Sequence, residues 1–190
     1  MQRIADLEHQ IREHLNFSTE QREHLHAAKD DWNILCVSLD TLGDSAQALM
    51  HYEHHGEARD DGEKYLRLYG MLQAIVLQQD AIRNISRVIT GAEEKLAPDS
   101  GWMQLRDIRI MTSGHPMEKT SKRGTQRIFV SRITIHKAGF QLQILHPNAD
   151  PEFRDVDLDD LFTRYKNEAV ELLEKIHQSQ VEKWGPADTA

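Results

Sequence analysis

The sequence of 190 residues predicts a mainly α-helical bundle with long antiparallel helices and one β-hairpin inserted before the C-terminal helix. Two observations support this fold class. Apolar residues recur at spacings of three and four through most of the chain, which is the period of an amphipathic helix. Between about residues 127 and 145 the pattern changes to β-branched and alternating residues, which is typical of strands. We expect residues 1–186 to form a single domain and residues 187–190 to form a flexible tail.

Four helices are predicted before the hairpin. They cover residues 3–15, 20–54, 63–90 and 102–111. The second helix carries an apolar seam that suits packing against a parallel or antiparallel neighbour. The seam consists of Leu25, Ala28, Trp32, Leu35, Leu39, Leu42, Ala46 and Leu49. Residues 54–62 contain two glycines and are interpreted as the turn of a helical hairpin.

The third helix carries a polar stripe beside its apolar one. Its members are Tyr69, Gln73, Asp80 and Asn84. Their spacing places them on one helix face, which either points to solvent or lines a buried polar site. Because buried arginines need anionic partners, we predict Asp80 as the partner of Arg106 or Arg109 on the fourth helix.

The predicted hairpin pairs residues 128–135 with residues 140–144 across a turn at 137–139. An isolated hairpin is barely stable, so the apolar face of the second strand needs cover from the helices or from another subunit. That face consists of Phe140, Leu142 and Ile144. Residues 146–154 contain two prolines and are expected to form a loop. The final helix should begin near Asp155 or Asp157 and end before Gly185.

Charge is unevenly distributed along the chain. The net charge of the whole chain is −8. The segment from Arg106 to Lys137 has eight basic and two acidic residues and therefore a charge of +6, so the remainder of the chain carries −14. The whole-molecule charge argues against non-specific nucleic-acid binding, but the basic segment favours an anionic ligand. The alternative is that Lys119, Lys122 and Arg123 belong to a merely solvated loop.

Composition and cysteine content exclude several classes of protein. No apolar run approaches the ~20 residues that span a bilayer, so we expect no membrane association and a cytoplasmic location. Cys36 is the single cysteine, which excludes an intramolecular disulfide, and we expect it to be a buried small hydrophobe. His51, His54 and His55 have metal-ligand spacing, but no further ligand is identifiable. The sequence therefore predicts no metal and no cofactor.

The residues most suited to chemistry lie between Arg106 and Pro116. Arg106 and Arg109 are three apart and share a helix face, and five residues separate Arg109 from His115. Gly114 and Pro116 end the helix at that point. A permanently charged guanidinium close in sequence to a side chain that titrates near neutrality can bind phosphate and transfer protons. The alternative is a helix C-cap at His115 and an ion pair at Arg109.

A helical hairpin followed by a helix that ends in Arg-x5-His resembles the HEPN superfamily. The segment 106–116 looks like the Arg-x-x-Arg…Gly-His-Pro form of that signature, and the segment 69–81 looks like the long helix of the same branch. By motif the resemblance covers roughly residues 60–116. It implies an all-helical fold, and for many members metal-independent RNA cleavage at a groove where two protomers bring their Arg/His motifs together.

Carried over to this chain, the resemblance implies that Arg109 and His115 are catalytic. Arg109 would stabilise charge on the phosphoryl oxygens, and His115 would transfer protons. Arg106, Asp80, Lys119, Lys122 and Arg123 would support the site or bind phosphate. Ile110 departs from the family pattern, because many active members carry a polar residue directly after the motif arginine.

Two classes of function therefore remain open from the sequence. The first is a metal-independent endoribonuclease, in the toxin–antitoxin or defence setting that the family suggests. The second is a non-catalytic helical module that binds nucleotide, RNA or a partner protein. In both we expect a homodimer with the fourth helix near its axis.

Overall fold

The computed structural model describes residues 1–114, 119–121 and 124–186, and this part of the chain is mainly helical, as predicted. Its α-helices are α1 (Gln2–Phe17), α2 (Thr19–Ala27), α3 (Lys29–His54), α4 (Asp61–Thr90), α5 (Gly101–Arg109) and α6 (Leu158–Trp184). Its strands are β1 (Lys119–Ser121), β2 (Gly124–Val130), β3 (Gly139–His146) and β4 (Ala149–Asp157). None of the helices in the described ranges is long and apolar enough to cross a membrane.

Contacts within the chain group its residues into two compact units. The first unit contains Met1–Glu53, Ala74–Leu96 and the chain from Lys166 on. The second contains His54–Gln73 and Ala97–Tyr165. The long helices α4 and α6 contribute residues to both units. The expectation of a single domain over residues 1–186 stays a prediction.

The core of the first unit is built from the apolar stripes that the sequence predicts. Residues at three- and four-residue spacing on α1 and α3 are buried, and so are those on α4 and α6. They include Ile4, Leu7, Ile11, Leu35, Leu39, Leu42, Leu49, Ile82, Ile85, Leu173 and Ile176. Burying each such side chain contributes roughly 1.5–3 kcal/mol, so this core supplies most of the unit's stability.

The prediction of one helix over residues 20–54 is wrong, because the chain breaks at Ala28. Ala28 has φ −103° and ψ 72°, and its N–H donates to Leu25, which closes a tight last turn of α2. Two aspartates in the first turn of α3 interact favourably with the positive end of its dipole, which suits a new helix that begins at Lys29.

A buried polar network ties α1, α2 and α6 together in the first unit. The ring nitrogens of His14 lie 2.8 Å from Gln21 Oε1 and 2.7 Å from the Gly185 carbonyl oxygen. Gln180 Nε2 donates to Gln21 Oε1 at 2.9 Å and to the Ile11 carbonyl at 3.2 Å. Gln21 and Gln180 are fully buried, and these hydrogen bonds satisfy Gln21 Oε1 and Gln180 Nε2, whereas Gln21 Nε2 and Gln180 Oε1 have no partner among the described residues.

In the second unit, β1 to β4 form an antiparallel meander in sequence order. The predicted hairpin is its β2–β3 portion, in which Ile128 pairs with Ile144 and Val130 with Leu142. The predicted first strand extends too far, since a 3₁₀ helix occupies Arg132–Thr134. The apolar face of β3 is buried, so it needs no cover from another subunit.

The expected loop over residues 146–154 is wrong, because β4 runs from Ala149 to Asp157. This strand pairs with β3 from Gly139↔Asp157 to His146↔Ala149. The sequence pattern does not indicate this strand, because Val156 is its single buried residue and the strand contains Pro151. Proline and charged residues are tolerated in a strand at the edge of a sheet. The final helix begins directly afterwards, at Leu158.

Candidate functional site

The candidate site is built on α5, whose position is fixed at its first residue. Ser100 caps the helix, its Oγ accepting a hydrogen bond from the Met103 N–H at 3.1 Å. Gly101 lies directly against α6, where a Cβ would be 2.7 Å from Tyr165 N and 2.8 Å from Leu161 O. Trp102 is fully buried, with its ring centroid 5.5 Å from that of Tyr165. The arginines lie on the later turns of α5, at Arg106 and Arg109.

Arg109 ends α5 and is held by Gln73 on α4. The guanidinium is half-buried and donates from Nε at 3.1 Å and from Nη2 at 2.9 Å to the same oxygen, Gln73 Oε1. Within the described part of the chain, no carboxylate forms an ion pair with Arg109. A neutral amide positions the guanidinium without cancelling its charge, so the side chain stays available to an anion.

One member of the polar stripe on α4, Gln73, reaches the candidate site in the second unit. Gln73, not an aspartate, is the direct partner of Arg109. Tyr69 lies one turn before Gln73, and its ring centroid is 5.6 Å from that of Tyr65. Burial, followed by the neighbouring Tyr65, raises the pKa of the Tyr69 phenol, so it remains a neutral hydrogen-bonding group at physiological pH.

The backbone widens directly after Arg109. The α-helix ends at Arg109, two residues before the predicted end near Met111, and residues Ile110–Gly114 continue it as a π-helical turn. Thr112 Oγ1 donates to the Ile108 carbonyl at 2.9 Å, and Ser113 Oγ donates to the Arg109 carbonyl at 3.3 Å. Such turns interrupt regular α-helices and are frequent at functional sites. Here the turn lies between the two residues of the Arg-x5-His motif.

Ile110 is 40% exposed on this turn. Its side chain places an apolar group, which cannot form a hydrogen bond, next to the guanidinium in sequence. This position is where the family resemblance calls for a polar residue.

The remaining predicted site residues are distributed as follows. Arg106 is half-buried one turn before Arg109, and Asp80 is half-buried in the part of α4 that belongs to the first unit. The pairing of Asp80 with an arginine of α5 stays a prediction. Lys119 is in β1, where its backbone pairs with Gln126 of β2. His115, Lys122 and Arg123 lie outside the described residues.

Metal-binding and thiol chemistry receive little support from the described residues. They contain no group of three or more His, Cys, Asp or Glu side chains that could hold a metal ion. Cys36 is half-buried, whereas the sequence predicted a buried side chain. Its partial burial, together with the nearby Asp40 charge, raises the pKa of the thiol and disfavours the reactive thiolate.

No protein-family model matches the chain, and neither a curated protein nor a solved structure shows significant similarity to it. The candidate site therefore stands on its own geometry.

Proposed function

We propose that this protein is a metal-independent endoribonuclease of the HEPN type, acting in a toxin–antitoxin or defence setting. The observation that carries the proposal is the half-buried guanidinium of Arg109, which two hydrogen bonds to Gln73 hold in place. Positioning without neutralisation is what a transition-state cation requires, because it stabilises developing negative charge without reorganising.

The bonding of Arg109 leaves a defined set of donors for the substrate. Gln73 Oε1 accepts hydrogen bonds from Nε and from one N–H of Nη2, whereas Nη1 donates to no partner among the described residues. The planar group can therefore present two adjacent donors to two oxygens of a phosphate, as a fork. Arg106, one turn earlier, would add a second cation for the same or the next phosphate.

The chemistry follows from the RNA itself, which supplies its own nucleophile. The 2′-hydroxyl attacks the adjacent phosphorus, and the bond from phosphorus to the 5′-oxygen breaks. His115 would move the proton between the two hydroxyl oxygens, and Arg109 would stabilise the extra charge on the phosphoryl oxygens. The products are a 2′,3′-cyclic phosphate end and a 5′-hydroxyl end.

A non-catalytic module that binds nucleotide, RNA or a partner protein is the second candidate. It is favoured by the exposed Ile110, which provides no hydrogen bond beside the guanidinium. In this alternative Arg109 still binds the phosphate, but no proton is transferred.

The homodimer remains part of the proposal through the family resemblance. Two surfaces suggested the homodimer from the sequence, and both are buried within the chain. They are the part of the predicted seam that lies on α3, from Leu35 to Leu49, and the apolar face of β3. The dimer would therefore have to use other surfaces. Light scattering at micromolar concentration checks it, with twice the 22.0 kDa chain mass expected.

Cleavage of single-stranded and structured RNAs in EDTA tests the function. We expect the wild type to cleave, and Arg109→Ala and His115→Ala to lose about 100-fold or more in rate. Arg109→Lys should recover only part, because a point charge lacks the fork geometry. Arg87→Ala, which removes an exposed arginine of α4, is the control and should be fully active.

Absence of cleavage with retained RNA binding would transfer the assignment to the binding module. Activity that requires a divalent metal would contradict the mechanism.

A further inference from the structure

Two exposed phenylalanines lie in one row across the sheet of the second unit. Phe129 of β2 pairs with Gln143 of β3, and Gln143 pairs in turn with Phe153 of β4. The three residues therefore occupy neighbouring positions on the same sheet face. Phe129 is 43% exposed and Phe153 is 57% exposed. We call this row the Phe platform.

The Phe platform belongs to the open face of the sheet and not to its core. Side chains alternate between faces along a strand, and the flanking residues Ile128 and Val130 are buried together with Leu142. The fold thus already has an apolar sheet face to bury. The two phenyl rings contribute little to that core and are accessible to a ligand.

The spacing of the rings suits separate aromatic ligands better than one apolar surface. Adjacent strands are about 4.8 Å apart, so the two phenylalanines stand roughly 10 Å apart across Gln143. The amide between them interrupts the apolar surface, unlike the continuous apolar centre of a protein interface. Gln143 can instead hydrogen-bond to the edge of a planar polar group that stacks beside it.

Charge on the adjoining strand points to a polyanion. Arg127 is exposed two residues before Phe129, and therefore on the same face. The sequence from residue 119 to 127 contains four basic residues and no acidic one. The acidic residues lie on β4, where Asp155 accepts a hydrogen bond from Gln141 at 3.0 Å and Glu152 lies 3.6 Å from His146 Nε2. A phosphate backbone would therefore follow β2.

We propose that the Phe platform binds single-stranded RNA by stacking bases on Phe129 and Phe153, while Arg127 contacts phosphate. Stacking on aromatic side chains beside a basic track is how sheet surfaces hold unpaired nucleotides. This inference rests on the proposed function for the choice of RNA, and it adds a substrate class: RNA with unpaired bases. Bases inside a duplex cannot reach the rings.

Fluorescence anisotropy with a labelled single-stranded oligoribonucleotide and its duplex tests the proposal on the full chain. We expect the single strand to bind more tightly than the duplex. Phe129→Ala and Phe153→Ala should each weaken single-strand binding about 5- to 100-fold, the range for loss of one stacked base. Phe129→Tyr should retain binding. Arg127→Ala should lower the salt dependence of binding by about one phosphate contact.

The matched control is Ile133→Ala, which removes an 88% exposed apolar side chain outside the row. It should bind RNA as the wild type does. Because Phe129 and Phe153 are exposed, circular dichroism should show their variants folded.

The platform and the catalytic proposal can fail separately. If the wild type cleaves RNA, Arg109→Ala should lose cleavage whether or not the platform binds. Single-strand binding that depends on both phenylalanines supports the platform even if the wild type cleaves nothing. The platform is overturned if the wild type does not bind the single strand, if the duplex binds equally well, or if the alanine variants bind unchanged. A change of particle mass in those variants with unchanged RNA binding would assign the row to a protein interface instead.

Discussion

Arg109 donates two hydrogen bonds to one oxygen of Gln73, a residue 36 positions earlier in the chain. Replacing the Gln73 amide with a carboxylate should separate the effect of positioning Arg109 from the effect of its charge. In Gln73→Glu the guanidinium keeps its partner but gains a counter-ion, so we expect stability to be unchanged or higher. RNA binding and cleavage should fall about 10-fold or more, since neutralising an active-site cation removes its interaction with phosphate.

Urea denaturation and anisotropy measure the two effects. Gln47→Glu makes the same charge change on an exposed position of α3 and should leave RNA binding unaltered. Unimpaired binding and cleavage in Gln73→Glu would show that Arg109 does not contact the phosphate.

Acid should destabilise the first unit through Glu53. Burial acts to raise the pKa of Glu53, but hydrogen bonds from Lys166 at 2.7 Å and from the Met1 amino group at 3.0 Å outweigh it, so the pKa is lowered. A lowered carboxyl pKa stabilises the folded state above the unfolded pKa of about 4.3, and this stabilisation is lost as the pH falls through the folded value. Glu53→Gln should cost about 1 kcal/mol at pH 7 and less at pH 2.

Urea melts at both pH values check this prediction. Glu174→Gln breaks the exposed ion pair with Arg3 and should change stability by less than about 0.5 kcal/mol at either pH. A cost for Glu53→Gln that does not depend on pH would contradict the linkage.

The buried network of the first unit predicts a selective sensitivity on α6. Gln180→Met keeps the volume but removes the donor to Gln21 Oε1 and to the Ile11 carbonyl. Gln21 Oε1 keeps its contact with His14 at 2.8 Å, so the variant loses two hydrogen bonds worth about 0.5–1.5 kcal/mol each, and a loss of roughly 1–3 kcal/mol is expected. Gln178→Met, two residues earlier but exposed, should be within about 0.5 kcal/mol of wild type. Equal melts for the two variants would refute the network's contribution.

Apolar periodicity predicted the helices well because burial on one face leaves a strong pattern. The stripes on α4 and α6 are buried as expected, from Leu68 to Ile89 and from Leu161 to Ile176. It did not predict β4, whose stability comes from backbone pairing with β3 and not from apolar side chains. The break at Ala28 was also missed, since the apolar spacing continues across it while the charges at the helix ends change.

For the site, the sequence indicated a polar helix face but did not single out Gln73. The spacing of Tyr69 and Gln73 placed a polar row on α4, and the structure brings Gln73 to Arg109. The pairing of Asp80 with an arginine of α5 was inferred from charge and stays a prediction, whereas the Gln73 contact depends on where the end of α5 lies along α4. The start of α5 packs closely against α6 at Gly101, a contact that no local sequence pattern encodes.

Gly101 should therefore control both stability and the site. A Cβ there would lie 2.7 Å from Tyr165 N and 2.8 Å from Leu161 O, both backbone atoms that cannot move without shifting α6. Gly101→Ala should cost about 1–3 kcal/mol through overpacking. Because α5 carries Arg109 at its other end, the displaced helix should also weaken RNA cleavage or binding at temperatures where the variant is still folded.

Gly70→Ala is the matched control. Gly70 lies exposed within α4 with nothing within 4 Å of a new Cβ, so alanine should stabilise the helix by about 0.5–1 kcal/mol. Thermal melts and RNA binding of the two variants, measured side by side, decide the matter, and a Gly101→Ala protein as stable as Gly70→Ala would mean that α5 does not pack on α6 as described.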